Sequence, residues 1–257
     1  MLRAIYGGWF DLLLAESPSG GQALEIGSGP GFLGAHARRT RSDLRLFETD
    51  ILATPWQDAV ADALHLPLRG QSMSTVVGID VIHHLARPAA FFSEAARILA
   101  AGGRLAVVEP WVTPFSYPIY RWLHQEGCRL GLDPWDPFDL GRSPRKEAFQ
   151  GDGAVMWKLA KATPDSRWHD LGFGRPHLTV LNGFAYLLSL GFKPASLLPP
   201  SMANAVLALD RRLSRWAPWF GMRVLAVWER SADRQPKTTQ GPAPQTPTGS
   251  PPGDPRA

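Results

Sequence analysis

Glycine recurs at the alternate positions Gly27, Gly29 and Gly31, directly after a short apolar run, residues 23–26, that carries one acid, Glu25. The run reads as a buried parallel strand, and the glycines let the following turn pass very close to a ligand. Such a turn suits a nucleotide-like molecule. In an open α/β sheet that ligand lies off the carboxyl ends of the strands, where the first strand-to-helix turn is found. The spacing discriminates further, because a dinucleotide fingerprint asks for G-x-G-x-x-G and its third glycine would fall where Phe32 stands. On their own, the three glycines fit an ordinary tight turn equally well. A second strand-like run, residues 44–47, ends in Glu48 and Asp50. An acid about 20 residues after a glycine turn can take both ribose hydroxyls in a bidentate hydrogen bond. Glu48 and Asp50 are alternatives for that role, and both can point the same way, because strand residues two apart share a face.

Four stretches in order carry a resemblance. Residues 25–31, E-I-G-S-G-P-G, are similar to motif I of the class I S-adenosylmethionine-dependent methyltransferases, an acid followed by G-x-G-x-G. Residues 60–67, V-A-D-A-L-H-L-P, resemble that family's G-D-A-x-x-L-P-F segment, with Ala61 for Gly and Leu68 for Phe. Residues 72–85 resemble the fourth-strand pattern of the methyltransferase 11 group: His84 matches the histidine of L-x-H-L, and Ser74 replaces the Asp of S-F-D. Residues 101–105, A-G-G-R-L, match the family's P-G-G-x-L except for Ala101 in place of Pro. The resemblance covers residues 23–110 and fades beyond them. It implies S-adenosyl-L-methionine as cofactor, with Glu25, Gly27, Ser28, Gly29, Gly31, Glu48 or Asp50, Asp62, Ala63, Asp80 and His84 at its site, and Asp62 beside the adenine amino group. One departure lies inside the match. Asp62 follows Asp50 by 12 positions, and Pro55 and Trp56 leave room for a turn where the family has a full helix.

The fold this implies is α/β: a Rossmann-like, seven-stranded, mostly parallel sheet with helices on both faces and an antiparallel last strand, plus an aromatic-rich cover after strand five. Residues 2–15 read as a first helix, ended by S-P-S-G-G at 17–21, and residues 91–99 as an amphipathic helix that stops before the fifth strand. Leu171-Gly172-Phe173 leads into a sixth strand at 177–181, with Leu190-Gly191-Phe192 a competing choice, and residues 222–228 read as the seventh strand. The domain is expected over 1–230, with a cofactor half at 20–110, a substrate cover at about 111–170 and an insertion at about 182–220. The cover is rich in aromatics, among them Trp111, Tyr117, Tyr120, Trp122, Trp135, Phe138, Phe149 and Trp157. As a group they argue for an apolar or aromatic acceptor pocket; each singly is as well explained by core packing. In the insertion, residues 201–216 look like an amphipathic helix with Ser201 as its cap and Arg211, Arg212 and Arg215 near its end. It reads as a lid or a weak membrane-surface contact, or as plain core packing. Residues 231–257 have almost no large apolar side chains and are expected to be disordered.

Composition narrows the classes. The 257 residues, 44% hydrophobic, are enough for one sizeable α/β domain. The 27 basic and 23 acidic residues give +4, with no dense basic run or aromatic-basic repeat, so nucleic acid is not an expected partner. One cysteine, Cys128, allows no internal disulfide and fits a reducing, cytoplasmic setting. The N-terminus lacks a signal-peptide pattern, and no uncharged apolar run is long enough to cross a bilayer.

The chemistry the resemblance implies is in-line displacement, an acceptor O, N, C or S attacking a methyl carbon on a sulfonium. Positioning dominates such a reaction, and a general base is optional. His83, His84, His124, Glu126 and His169 are the candidate bases, with His124 and Glu126, on the presumed cover, placed first. His83 and His84 are adjacent and would lie on opposite faces of a strand, poor for a shared metal; none is expected. A small-molecule methyltransferase is thus the leading reading. The alternatives are a binding or regulatory protein that keeps the cofactor fold without turnover, and a nicotinamide-dependent oxidoreductase, which Phe32 argues against.

Overall fold

A computed structural model describes residues 2–124, 126–136, 151–189 and 199–232. Its centre is one seven-stranded sheet in the order β3-β2-β1-β4-β5-β7-β6. The strands are β1 (Gln22–Ile26), β2 (Arg45–Asp50), β3 (Ala59–Val60), β4 (Met73–Ile79), β5 (Leu99–Pro110), β6 (His177–Leu181) and β7 (Arg223–Glu229). The pairs β1·β2, β1·β4, β2·β3 and β4·β5 are parallel, whereas β7 runs antiparallel to both β5 and β6. The order steps outward from β1 in two directions, so the β1 and β4 ends form the crevice where such sheets bind ligands.

Strands with helices on both faces are mainly apolar, and the central ones are, apart from a few polar residues such as Glu25, Thr75 and Glu109. Alternate residues divide between two cores. Val76, Leu105, Val107, Val224 and Trp228 face one side, packed on Phe91 and Phe92 of helix α3 (Pro88–Ile98) and on the helices Val155–Ala162 and Asp165–Asp170. Val77, Ala106, Val108 and Leu225 face the other, against Tyr6, Trp9, Phe10 and Leu13 of helix α1 (Leu2–Ala15) and Leu33 and Ala37 of helix α2 (Phe32–Thr40). Leu99, expected to end the helix, already pairs with Met73 as the start of β5, and the turn expected at 101–103 lies inside the strand, where the register shifts before Arg104 pairs with Thr75.

The sixth strand follows the first Leu-Gly-Phe; the competing 190–192 lies outside the described residues. Between β2 and β3 the chain makes a turn and no helix, as Pro55 and Trp56 predict. Ser201 does not cap the insertion helix: it sits inside a one-turn 3₁₀ segment, Pro200–Met202, and the helix Ala203–Arg212 starts after Met202 without a side-chain cap bond. Of the aromatics after β5, Trp111, Trp135 and Trp157 complete the α3-side core, Tyr120 is buried in a third cluster with Cys128, and Trp122 faces solvent. Phe138, Phe149 and the 233–257 tail lie outside the described residues.

Phe92 is fully buried, with the rings of Trp168, Trp228, Phe91 and Phe173 at centroid distances of 4.9, 5.1, 5.4 and 6.0 Å. Phe92→Ala should therefore cost about 3–5 kcal/mol in urea denaturation. A loss below about 1 kcal/mol would show that this aromatic cluster does not anchor the core.

Candidate functional site

The chain leaves β1 at Ile26 and enters the turn with Gly27 at φ 62°, Gly29 at 46° and Gly31 at 68°. These are left-handed conformations that a side chain disfavours, so glycine spacing and turn shape are one fact. The turn is tied to the next strand. The Gly29 N–H donates to Asp50 Oδ2 at 2.9 Å, and the other Asp50 oxygen accepts the Leu52 N–H at 2.9 Å. The Trp56 indole N–H then donates back to the Gly29 carbonyl at 2.8 Å. The Trp56 ring lies so near Gly31 that a Cβ there would meet it at 2.4 Å.

These groups border a cavity of about 650 Å³, within the range of small-ligand sites. Of the expected cofactor residues, Gly27, Gly29, Asp50, Asp62, Ala63, Asp80 and His84 line it. Glu25, Ser28, Gly31 and Glu48 do not border it and stand behind the wall. Glu48 is buried under α2, where its carboxylate takes Arg38 Nη1 at 2.6 Å and fills the space a Cβ on Gly34 would need. Of the two alternatives at the end of β2, Asp50 is thus the one on the cavity. Glu25 pairs in register with Glu48 and is 5% exposed. Burial first, then the charges of Glu48 and Asp50, raise its pKa well above the carboxylate range, against the pull of Arg38.

Opposite the glycine turn, β4 gives way to Asp80, at φ 56°, and a 3₁₀ turn, Ile82–His84. Asp80 pairs with Arg223 at the start of β7. Glu109, near the end of β5 and fully buried, accepts the N–H groups of Val81 at 2.8 Å and Ile82 at 2.7 Å, and binds His83 Nδ1 at 2.6 Å. The other His83 nitrogen lies 3.2 Å from Glu126, which is also 3.6 Å from His84 Nε2 and 3.8 Å from His124 Nδ1. Burial alone would depress the His83 imidazolium, but Glu109 and the bonds to both carboxylates outweigh it and hold its pKa well up. Burial opposes ionisation of Glu126 as well, yet His83, His84 and His124 keep its pKa low. His124 is pushed down chiefly by burial.

The structure brings His124 and Glu126 together, as their sequence position suggests, and adds His83, which sequence reasoning treated as one histidine among several. His169 lies away from this cluster, on the helix Asp165–Asp170. His83 and His84 do not oppose each other across a strand, because both lie in the 3₁₀ turn Ile82–His84. In the 3₁₀ turn their rings lie 4.1 Å apart, and donor atoms of His83, His84 and Glu126 come within 4.8 Å of one another. Three contributors went unseen in the sequence. Trp56 read only as part of a turn, and Glu109 only as a strand residue, although an acid ending an apolar strand is the same signal that marked Glu25. Arg223 gave no local signal.

The site thus joins a mostly parallel sheet whose last strand reverses, a glycine turn bound to an acid from the neighbouring strand, and a ligand-sized cavity at the strand ends. Residues 24–107, which run from β1 into β5, match the family described as a methyltransferase domain. The fold is similar to a SAM dependent methyltransferase from Archaeoglobus fulgidus, at TM-score 0.54 and 13% identity over 89% of this chain and 94% of that one. It is also similar to phosphoethanolamine N-methyltransferase 2 of Haemonchus contortus, at 0.51 and 14% over 87% of this chain and 52% of that one. A curated relative, tRNA (carboxymethyluridine(34)-5-O)-methyltransferase ALKBH8 of Macaca fascicularis, is 28% identical over 64% of this chain; the match spans 24% of that relative's length. The site fits S-adenosyl-L-methionine, the cofactor expected from the sequence: the cavity is of ligand size, the space beside Gly29 is open, and Asp50 and Asp62 supply acceptors.

Glu25 yields a pH prediction. Its folded pKa is raised, so the stabilising protonated form is fully kept below the unfolded pKa of about 4.3, and stability is lost as pH rises through the folded value. Glu25→Gln should therefore match the parent near pH 4 and exceed it near pH 8, by about 1.4 kcal/mol for each unit separating the two states. Chemical denaturation at both pH values checks this, and a pH-independent difference would refute the burial argument.

Proposed function

We propose that the chain transfers a methyl group from S-adenosyl-L-methionine to a small, apolar or aromatic acceptor by in-line displacement. The observation that carries this reading is a single cavity bounded on one side by the glycine turn and Asp50 and on the other by Asp80 and His84. The cofactor supplies a methyl group on a positively charged sulfur. Gly27 and Gly29 let backbone approach it, Asp50 accepts from its ribose hydroxyls, and Asp62 accepts from its adenine amino group. Leu52, Leu64, Val81 and Leu85 wall the cavity with apolar surface and exclude water. Alignment of two reactants in such a place supplies roughly 7–11 kcal/mol of a barrier, so most of the catalysis is positioning.

Proton handling falls to the histidine and carboxylate cluster. His84 stands on the cavity wall, and Glu126 holds it together with His83 and His124. Burial keeps His124 neutral near pH 7, able to receive a proton. Both nitrogens of His83 are already committed to carboxylates, which favours a proton-handling role over metal ligation. The ALKBH8 relative acts, by its name, on tRNA. The sequence reading here keeps a small acceptor and no nucleic-acid partner, so a tRNA arm belongs in any acceptor screen.

Calorimetry with S-adenosylmethionine, S-adenosylhomocysteine and NAD tests the cofactor. Asp50→Ala should weaken S-adenosylhomocysteine binding at least about tenfold, a charge-assisted hydrogen bond being worth roughly 1.5–3 kcal/mol. Unchanged affinity would remove Asp50 from the site. A screen of phenols, carboxylates, amines, lipid-like acceptors and tRNA then reads methyl transfer, and silence throughout despite tight cofactor binding would favour a regulatory protein. On the acceptor found, Glu126→Gln should lower kcat by about 10²- to 10⁴-fold with cofactor affinity unchanged; full kcat would strike the cluster from the chemistry.

A further inference from the structure

β5 ends at Pro110 and β7 begins at Arg223, and these two residues are register partners. The segments that follow the one and precede the other therefore lie side by side, off the same carboxyl edge of the sheet as the cavity. The Phe115 N–H reaches the Trp219 carbonyl at 3.4 Å, the Phe115 ring lies 5.8 Å from that of Phe220, and the Tyr117 ring lies 6.3 Å from that of Trp122. Large apolar side chains here face solvent: Trp122 is 71% exposed, Leu123 75%, Trp219 60%, Trp216 47% and Phe220 41%. Soluble surfaces scatter such residues singly, and a joined group marks an interaction site. Exposed Arg121, Arg211, Arg212 and Arg215 accompany them. In residues 111–124 and 201–228 the one acid is Asp210.

We propose that this edge is a docking surface for an anionic lipid bilayer. Tryptophan and leucine settle at the boundary between headgroups and acyl chains, and arginines meet lipid phosphates. Charge selects this occupant over a second copy of the chain, because a two-fold pairing would set the arginines of one face against those of the other. Docking does not depend on the methyl-transfer reading. The added step, that an apolar acceptor passes from the bilayer into the cavity at the same edge, does rest on it.

The test is flotation of the full chain with vesicles of phosphatidylcholine alone and of phosphatidylcholine with phosphatidylglycerol. The expected result is salt-sensitive binding to the anionic vesicles. A Trp219→Ala, Phe220→Ala variant and an Arg211→Gln, Arg212→Gln, Arg215→Gln variant should each bind at least about tenfold more weakly, with unchanged circular dichroism. Trp122→Ser, in the other segment, should weaken binding too and serves where either variant fails to fold. No flotation of the full chain, equal flotation of all folded variants, or a dimer that Trp219→Ala, Phe220→Ala disperses would each overturn the proposal. S-adenosylhomocysteine calorimetry on the unsubstituted full chain separates the two ideas: cofactor binding without flotation overturns docking alone, and flotation without cofactor binding overturns the methyl-transfer reading alone.

Discussion

The Asp50 carboxylate joins two strand ends. One oxygen accepts from Gly29 in the turn after β1, and the other from Leu52 just beyond β2. It acts beside the Ser28 N–H, which donates to the Thr49 carbonyl at 2.9 Å, so the turn is tied to β2 at two successive points. The Asp50 bond fixes how far the turn stands off the sheet, and hence where a ligand can lie. It also explains why the acid must end a strand, because only there can its side chain reach across to the neighbouring turn.

Around that link the chain is abbreviated. With a turn in place of a helix between β2 and β3, Trp56 is free to fold back, donate to the Gly29 carbonyl and cover Gly31. The support that a longer connection would give by packing comes here from one indole. Beneath the turn, Glu25 and Glu48 lie side by side with Arg38 as the nearest cation. Burial, and then the charges of Glu48 and Asp50, favour the neutral form of Glu25 there.

The sheet was legible in the sequence because its strands are continuous apolar runs broken by glycine, and parallel pairing needs both faces covered. The cavity wall was legible on the side where close backbone approach demands glycine, as at Gly27 and Gly29, or where an acid interrupts a strand end, as at Asp50. What the sequence hid was direction. Glu48 and Asp50 share a strand parity, yet Glu48 is drawn under α2 by Arg38 and Asp50 curls to the turn. His83 and His84 looked like strand residues because the apolar run continues to Ile82, and the 3₁₀ turn reversed that inference. Arg223, 143 positions from its partner Asp80, is a contact that only tertiary structure supplies. The aromatics after β5 misled in the other direction: they suggested a pocket wall, yet among the described residues none borders the cavity.

Glu109 gives the far wall its shape. A fully buried carboxylate is tolerable only if its charge is met, and here two backbone N–H groups and an imidazole meet it. Those same bonds wind residues 82–84 into the 3₁₀ turn and fix the His83 ring, whose second nitrogen then captures Glu126 from the segment beyond β5. His84, next in the chain, is thereby aimed at the cavity while its neighbour is buried. The cluster thus follows from satisfying one buried charge at the end of a central strand. The wall it builds directly faces the glycine turn, because β4 and β1 are neighbours in the sheet.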